Sequence, residues 1–331
     1  MNLSTRYLGL TLQSPVVASA SPLTAKFDTL VALAGEGAGA VVLPSVFEEQ
    51  FWHEQAILDR LIESGAESTG EAQSYFPAQA AFAFDSSNHL ALVEKAASRL
   101  SIPVIASLNG TTDTGWTDLA YEFEEAGAAA IELNTYFLPT DLSLSGAEVE
   151  ARTLSVVRAV CETVKIPVSV KIGPYFSAPG HMARQIIAAG ASGVVLFNRF
   201  YQPEIDPLRL TVTPSLELSR PYEARLPLLW VAVLSGQIEG SIAATTGVET
   251  AEDVVRYLLA GADVAMTTSA LLRHGPAHMG RLVRGLSDWL AARGLSEPGA
   301  IRGRLAHGAM ADPEAYERAN YIKALQSFGR G

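Results

Sequence analysis

Cysteine is almost absent: the 331 residues hold one, Cys161. A disulfide framework within the chain and a zinc site built on several thiolates are therefore excluded. Basic charge is scarce as well. Lys and Arg total 24 against 35 Asp and Glu, a net charge of −11, which argues against a nucleic-acid backbone as the main partner. A small phosphate ligand stays compatible, because a few backbone N–H groups can bind one locally. Long apolar runs are missing too. The longest, Leu226 to Leu234, falls far short of the roughly 20 residues of a spanning helix. The stretch Leu8–Gln13 is too short and too polar for a signal peptide. The expectation is a cytoplasmic protein with no membrane partner. What is abundant is apolar residues, 48% of the chain, enough for a large core and incompatible with wholesale disorder.

A phrase repeats along the chain. Gly37-Ala38-Gly39-Ala40-Val41-Val42-Leu43 returns as Gly127-Ala128-Ala129-Ala130-Ile131-Glu132-Leu133, as Gly190-Ala191-Ser192-Gly193-Val194-Val195-Leu196, and as Gly261-Ala262-Asp263-Val264-Ala265-Met266. The leading glycine suits a helix C-cap, where a left-handed residue is needed. The apolar run behind it suits a strand buried on both faces. A second phrase, Ile102-Pro103-Val104 and Ile166-Pro167-Val168, places proline where a strand tolerates it, at its first residue. The spacing predicts strands at about 16–19, 40–44, 104–108, 129–134, 167–172, 193–198, 241–245 and 263–268. Helical patterns at 26–35, 116–126, 146–164, 179–189, 250–260 and 276–293 separate most of them. Eight such alternations define a (β/α)8 TIM barrel, one domain over 1–331, with an open doubly wound sheet as the alternative. Connections at 45–101 and 199–225 are too long for plain loops and are expected over the C-terminal face. Residues 296–331 are expected to form a helical tail, with Pro313 early in a helix.

Strand C-termini build the site in such barrels. They supply Ser19-Ala20-Ser21, Pro44-Ser45, Ser107 with Asn109, Asn134, Lys171, Asn198, Thr245-Thr246-Gly247 and Thr267-Thr268-Ser269. No carboxylate pair converges there, which disfavours glycosidase chemistry, and no histidine pair does, which disfavours a metal hydrolase. No metal is expected. His274 and His278 are four apart but read as a solvated pair. The small residues after strands seven and eight fit a phosphate site of backbone N–H groups, or simply tight turns. Lys171 is the cation at the strand ends. Its buried ammonium needs an anion, either a ligand or Glu132. Asn134 and Asn198 offer the donor and acceptor that suit the amide edge of a heteroaromatic ring, or bond neighbouring strands.

These residues carry a family likeness. Through Glu132-Leu133-Asn134, Val170-Lys171-Ile172-Gly173-Pro174, Phe197-Asn198, Thr246-Gly247-Val248 and Ala270–Pro276, the chain resembles the FMN-dependent dihydroorotate dehydrogenases of pyrimidine biosynthesis, most closely the soluble class 1-like branch. Val42–Gln50 and Leu196–Tyr201 resemble a sub-branch of dihydroorotate dehydrogenase-like proteins. The resemblance implies FMN over the barrel mouth. Lys171 would face the N1/C2 carbonyl end of the ring, Asn134 and Asn198 the ring or the substrate. Ser19, Ala20, Ser45 and Ser107 would line the cofactor, and Thr246, Gly247, Thr268 and Ser269 would hold its phosphate.

Three departures accompany the likeness. The segment that supplies the family's catalytic Cys or Ser is Thr135-Tyr136-Phe137-Leu138-Pro139, with Phe137 at the base position, where it cannot take a proton. Tyr136 is the substitute base, although a tyrosine hydroxyl is a weak one near neutral pH, and it serves equally as a packing residue. Pro44 stands where the family has a lysine. Thr246 and Thr268 stand where it has glycines. Cys161 falls in the following helix and reads as an inert buried thiol. The implied activity is hydride transfer from a CH–CH bond to flavin, with weak or no turnover of dihydroorotate itself. A non-catalytic barrel is the alternative, and tRNA reduction is disfavoured by the charge and by the lack of a basic extension. Expected partners are a small-molecule substrate and a redox protein or a second copy of the chain. Phe51, Trp52 and His53 are expected in a lid, a partner surface or a local core.

Overall fold

The computed structural model describes residues 1–47, 86–110, 116–199, 202–213 and 217–311, with Tyr316, Tyr321, Leu325 and Gln326 beyond. The chain opens with two short strands, β1 (Thr5–Tyr7) and β2 (Leu10–Leu12), paired antiparallel. Leu8 and Gly9 between them both take positive φ, 52° and 77°. Positive φ at both central residues is what a tight two-residue hairpin loop requires, and glycine meets it without cost. The barrel strands are β3 (Val16–Ala18), β4 (Val41–Phe47), β5 (Val104–Asn109), β6 (Ala130–Asn134), β7 (Val168–Ile172) and β8 (Gly193–Leu196). After a small ribbon, β9 (Glu204–Asp206) with β10 (Thr211–Thr213), the barrel is completed by β11 (Ser241–Ala244) and β12 (Val264–Thr267). It closes in the order β3-β4-β5-β6-β7-β8-β11-β12, every pair parallel. This is the expected (β/α)8 barrel.

The surrounding helices are α1 (Phe27–Gly35), α2 (Ser86–Arg99), α3 (Trp116–Glu125), α4 (Gly146–Thr163), α5 (Pro179–Ala188), α6 (Arg225–Leu234), α7 (Ala251–Ala260), α8 (Ser269–His274) and α9 (His278–Ala291). Where the repeated phrase begins, Gly37, Gly127, Gly190 and Gly261 have φ between 91° and 118°. Each follows a helix and turns the chain back into the sheet, as the C-cap reading requires.

Several boundaries differ from expectation. The stretch 45–101 begins as the end of β4 and finishes as α2, a regular barrel helix; the positions between, including Phe51, Trp52 and His53, lie outside the described residues. The 199–225 connection holds the β9–β10 ribbon and a 3₁₀ turn at Pro221–Ala224. The helix expected at 276–293 is α9, and a further short helix, α8, precedes it, divided from it by Gly275 at φ 77° and Pro276. The tail is not helical as far as Ala311: only 3₁₀ turns at Pro298–Ala300 and His307–Ala309 occur there, and Pro313 lies outside the described residues.

Strand alternation sorts side chains into two cores. Outward residues such as Val41, Leu133, Val170 and Val194 pack on the helices with Leu282, Leu286 and Leu290 of α9. Inward residues form a second cluster: Val17, Ala40, Val42, Ile105, Ala130, Val195, Ala243, Val264 and Met266. The hairpin inserts Tyr7, Leu8 and Leu12 into it from the N-terminal end. Burying one such side chain contributes about 1.5–3 kcal/mol. Pro44 cannot donate to a ladder, and the β4–β5 register slips between Val42 and Ser45, so that two residues of β4 oppose one of β5. The bulge turns Ser45 inward toward Ser107.

Candidate functional site

At the C-terminal end the inward positions change character. Above the apolar layer stand Ser19, Ser107, Asn109, Glu132 and Lys171, all buried. The mouth opens into a cleft of about 270 Å³ lined by Ser19, Ala20, Lys171, Asn198, Thr246, Gly247, Thr268 and Ser269 among others. A second cleft of about 230 Å³ adjoins it and shares Phe197, Asn198, Arg199 and Thr246. Together they reach the size of a ligand site, which starts near 300 Å³.

Lys171 forms the cleft floor. Its Nζ donates to Ser19 Oγ and to Glu132 Oε1, both at 3.3 Å, and the residue is 9% exposed. The ion pair and the ligand-facing position thus coexist, and the third N–H is available to the cleft. Asn198 Nδ2 donates to Asn134 Oδ1 at 2.8 Å. This bond fixes both amides and leaves the Asn134 NH₂ and the Asn198 carbonyl for a ligand. Asn134 reaches the cleft through Asn198 and is absent from its lining.

The turn after β11 is held open by an unusual backbone. Thr246 has φ 81° and Gly247 φ 73°. A β-branched residue in the left-handed region is strained. The surroundings hold it: Tyr257 donates its hydroxyl to Thr246 O at 2.7 Å, and Thr246 Oγ1 donates to Phe197 O at 3.3 Å. Gly247 has no room for a side chain, since a Cβ would lie 2.9 Å from Arg220 O.

Ser219 is the residue that sequence reasoning missed. Its Oγ accepts from Gly247 N–H at 3.3 Å and bonds Ser269 Oγ at 2.9 Å, while Ser269 Oγ accepts from Ser219 N–H at 3.0 Å. Arg273 pins this segment through Leu218 O and Ser219 O, at 3.1 and 2.6 Å, and through Glu249 at 2.5 Å. Arg199 adds a bond to Glu217 O and an ion pair with Glu223 at 3.0 Å. The available signal was weak: a serine two residues before a proline-started turn, inside a long connection.

Other expected residues lie elsewhere. Ser45 and Ser107 bond each other at 2.7 Å, and neither lines the clefts. The bulge at Pro44 and the depth of Ser107 account for this. Tyr136 is likewise absent from both linings. Phe137 turns outward, with the Arg152 guanidinium 4.6 Å from its ring centroid, and lines a separate cavity of about 270 Å³ with Leu142, Leu144, Val149 and Tyr175. His274 and His278 are not a solvated pair. Their rings are 4.8 Å apart, His274 bonds Glu249 Oε1 at 3.0 Å, and the buried His278 bonds Glu249 O at 2.8 Å. No group of three metal-ligating side chains occurs among the described residues. Burial, reinforced by Glu162, pushes the Cys161 thiol up to about 11, so it is no nucleophile. No helix among the described residues is long and apolar enough to cross a membrane.

Residues 85–290 match the family model described as dihydroorotate dehydrogenase. A chain from Aeropyrum pernix assigned as dihydroorotate dehydrogenase A (fumarate) is 34% identical over 202 residues, 59% of this chain and 64% of that one. The dihydroorotate dehydrogenase B (NAD(+)) catalytic subunit of Shouchella clausii is 28% identical over 201 residues, 57% and 64% of the two chains. That of Methanothermobacter thermautotrophicus is 28% identical over 214 residues, 62% and 69%. The chain therefore spans just under two thirds of the length of the first two relatives.

Proposed function

Because the chain belongs to the dihydroorotate dehydrogenase family, we propose that it is an FMN-dependent oxidoreductase acting on a CH–CH bond. The observation that carries this reading is the nearly buried Lys171 ammonium on the floor of a mouth cleft otherwise lined by small and amide residues. The donor set fits FMN. Ser219 Oγ also marks a seat for an acceptor oxygen, between Gly247 N–H and Ser269. In this reading Ser19, Ala20 and Lys171 hold the ring. Thr246, Gly247, Thr268 and Ser269 hold the phosphate, with Ser219 displaced or added as a ligand. When bound, FMN supplies a two-electron acceptor for hydride from the substrate carbon. Asn134 and Asn198, fixed by their mutual bond, orient the substrate or the ring edge. Lys171 stabilises negative charge that gathers at that edge.

Among the described residues no good base lines the clefts. Phe137 faces α4, and Tyr136 stands apart from both clefts. We therefore expect weak or no turnover of dihydroorotate and another CH–CH substrate. The relatives described as catalytic subunits make a redox partner subunit part of the proposal, with a second copy of the chain as the alternative.

A non-catalytic barrel is the second reading. It is favoured by Ser219, which already fills the seat at Gly247. The visible spectrum of freshly purified protein separates the two. Flavin absorption with releasable FMN, or tight uptake of added FMN, supports the oxidoreductase. A colourless protein with no affinity for FMN supports the non-catalytic barrel. Dihydroorotate oxidation at an ordinary enzymic rate would overturn the expectation about the base.

A further inference from the structure

The flavin reading gives Lys171 a task and leaves its buried partner without one. Glu132 projects inward from β6 and is 1% exposed. One carboxylate oxygen takes the Lys171 bond. The other, Oε2, is buried with no hydrogen-bond partner among the described residues. Below it are Ser169, whose hydroxyl is spent on Ile131 O, and Tyr7 on the hairpin; the rest of the layer is Ala130, Ile105, Val195 and Met266. A carboxylate half satisfied in such surroundings is a poor device for stability, because desolvation consumes most of what the ion pair returns. An apolar side chain would pack there at less cost.

Its position answers a different need. We propose that Glu132 is a positioning residue that sets the charge of the cleft floor. It draws the Lys171 ammonium to one place under the mouth and cancels most of its field, so that the floor presents N–H donors with little net positive charge. The proposal rests on the flavin reading. A hydride from the substrate brings two electrons and one proton to oxidised FMN and leaves the ring one unit more negative. An uncompensated ammonium beneath it would favour that state strongly in a low-dielectric site. With Glu132 beside the ammonium, reduced and oxidised FMN are held with more nearly equal strength, and the bound flavin keeps a lower potential.

The test uses the full chain loaded with FMN. Midpoint potential and the dissociation constants of oxidised and reduced FMN are measured for wild type, Glu132→Gln and Glu132→Asp. Gln keeps the size and an acceptor for Lys171 and removes the charge. Asp keeps the charge and shortens the side chain. We expect Glu132→Gln to favour reduced over oxidised FMN at least tenfold more than wild type, an upward shift of about 30 mV for a two-electron couple. We expect Glu132→Asp to stay within a factor of two of wild type. An unchanged or lower potential in Glu132→Gln overturns the proposal. So does a shift in Glu132→Asp as large as tenfold, which would point to packing alone; this arm decides the matter if Glu132→Gln does not fold. A wild-type chain that takes up no FMN overturns the flavin reading and this proposal together. FMN bound with an unmoved Glu132→Gln potential overturns this proposal alone.

Discussion

The two ends of the barrel are built from the same strands and obey opposite rules. At the N-terminal end the inward side chains are Val17, Val42, Ile105, Val195 and Val264, stoppered by Tyr7, Leu8 and Leu12. At the C-terminal end, two or more positions further along the strands, they are Ser19, Ser107, Glu132, Asn134, Lys171 and Thr245. At the lower end Ser241 Oγ accepts Leu8 N–H at 2.9 Å, while the buried Tyr7 hydroxyl has no partner among the described residues. The upper end keeps groups with unspent hydrogen-bonding capacity, Lys171 and the two asparagines. The lower end thus serves packing, while the upper end carries the chemistry and a buried ion pair of its own, so a substitution at the lower end should cost stability alone and one at the upper end both.

The largest expected effect is at the upper end. Lys171→Met leaves Glu132 buried without its counter-ion and should cost about 3–5 kcal/mol. Thermal unfolding reads that loss, and FMN retention should vanish with it. Leu12→Ala at the lower end should cost about 3 kcal/mol by opening a cavity in the inner core. Below its lowered Tm it should bind FMN as wild type does. A loss of affinity there would break the comparison.

A third test lies outside both ends, at His89 on α2. Its ring is buried 5.5 Å from Phe123, and burial holds its pKa down near 4. The unfolded chain takes up a proton below the ordinary histidine value near 6.5, and the folded chain does not. Stability from this group is complete above about pH 6.5 and is lost as pH falls toward 4, by on the order of 3 kcal/mol. Denaturant titrations across that range should show the slope in wild type and its loss in His89→Phe, with FMN affinity unaffected. The smallest effect concerns the N-terminus of α7. There Thr250 Oγ1 accepts from Asp253 N–H at 3.3 Å, and Asp253 Oδ2 accepts from Thr250 N–H at 2.8 Å. Thr250→Ala should cost about 1 kcal/mol. A measurable change in the flavin spectrum would show that helix α7 reaches the mouth through Tyr257.

The barrel was legible because its repeated phrase joins two local rules, a glycine needing positive φ and a run buried on both faces. Helix α2 escaped notice because no phrase separates it from the long connection before it. Helix α6 escaped because Leu226 to Leu234 is apolar all round, and no stripe betrays a 3.6-residue period. The floor of the site was legible, since Lys171, Asn134 and Asn198 each lie at or just beyond the C-terminal end of a strand. The seat at Gly247 was not. Ser219 and Arg273 meet it through folding of a long connection, and no spacing in the chain records that meeting. The outward turn of Phe137 was equally hidden, since it depends on Arg152 of a neighbouring helix.

The pairing of β3 with β12 has a consequence in time. Ala18 lies beside Thr267, and Ser19 N–H donates to Thr267 O. At a synthesis rate of roughly 5–20 residues per second, the first barrel strand waits on the order of ten to fifty seconds for its neighbour to leave the ribosome. Until then the hairpin has no floor to seal, and β3 presents an open edge. The nascent chain's exposure to mispairing is thus set by the lateness of one strand, and it ends when the ring closes.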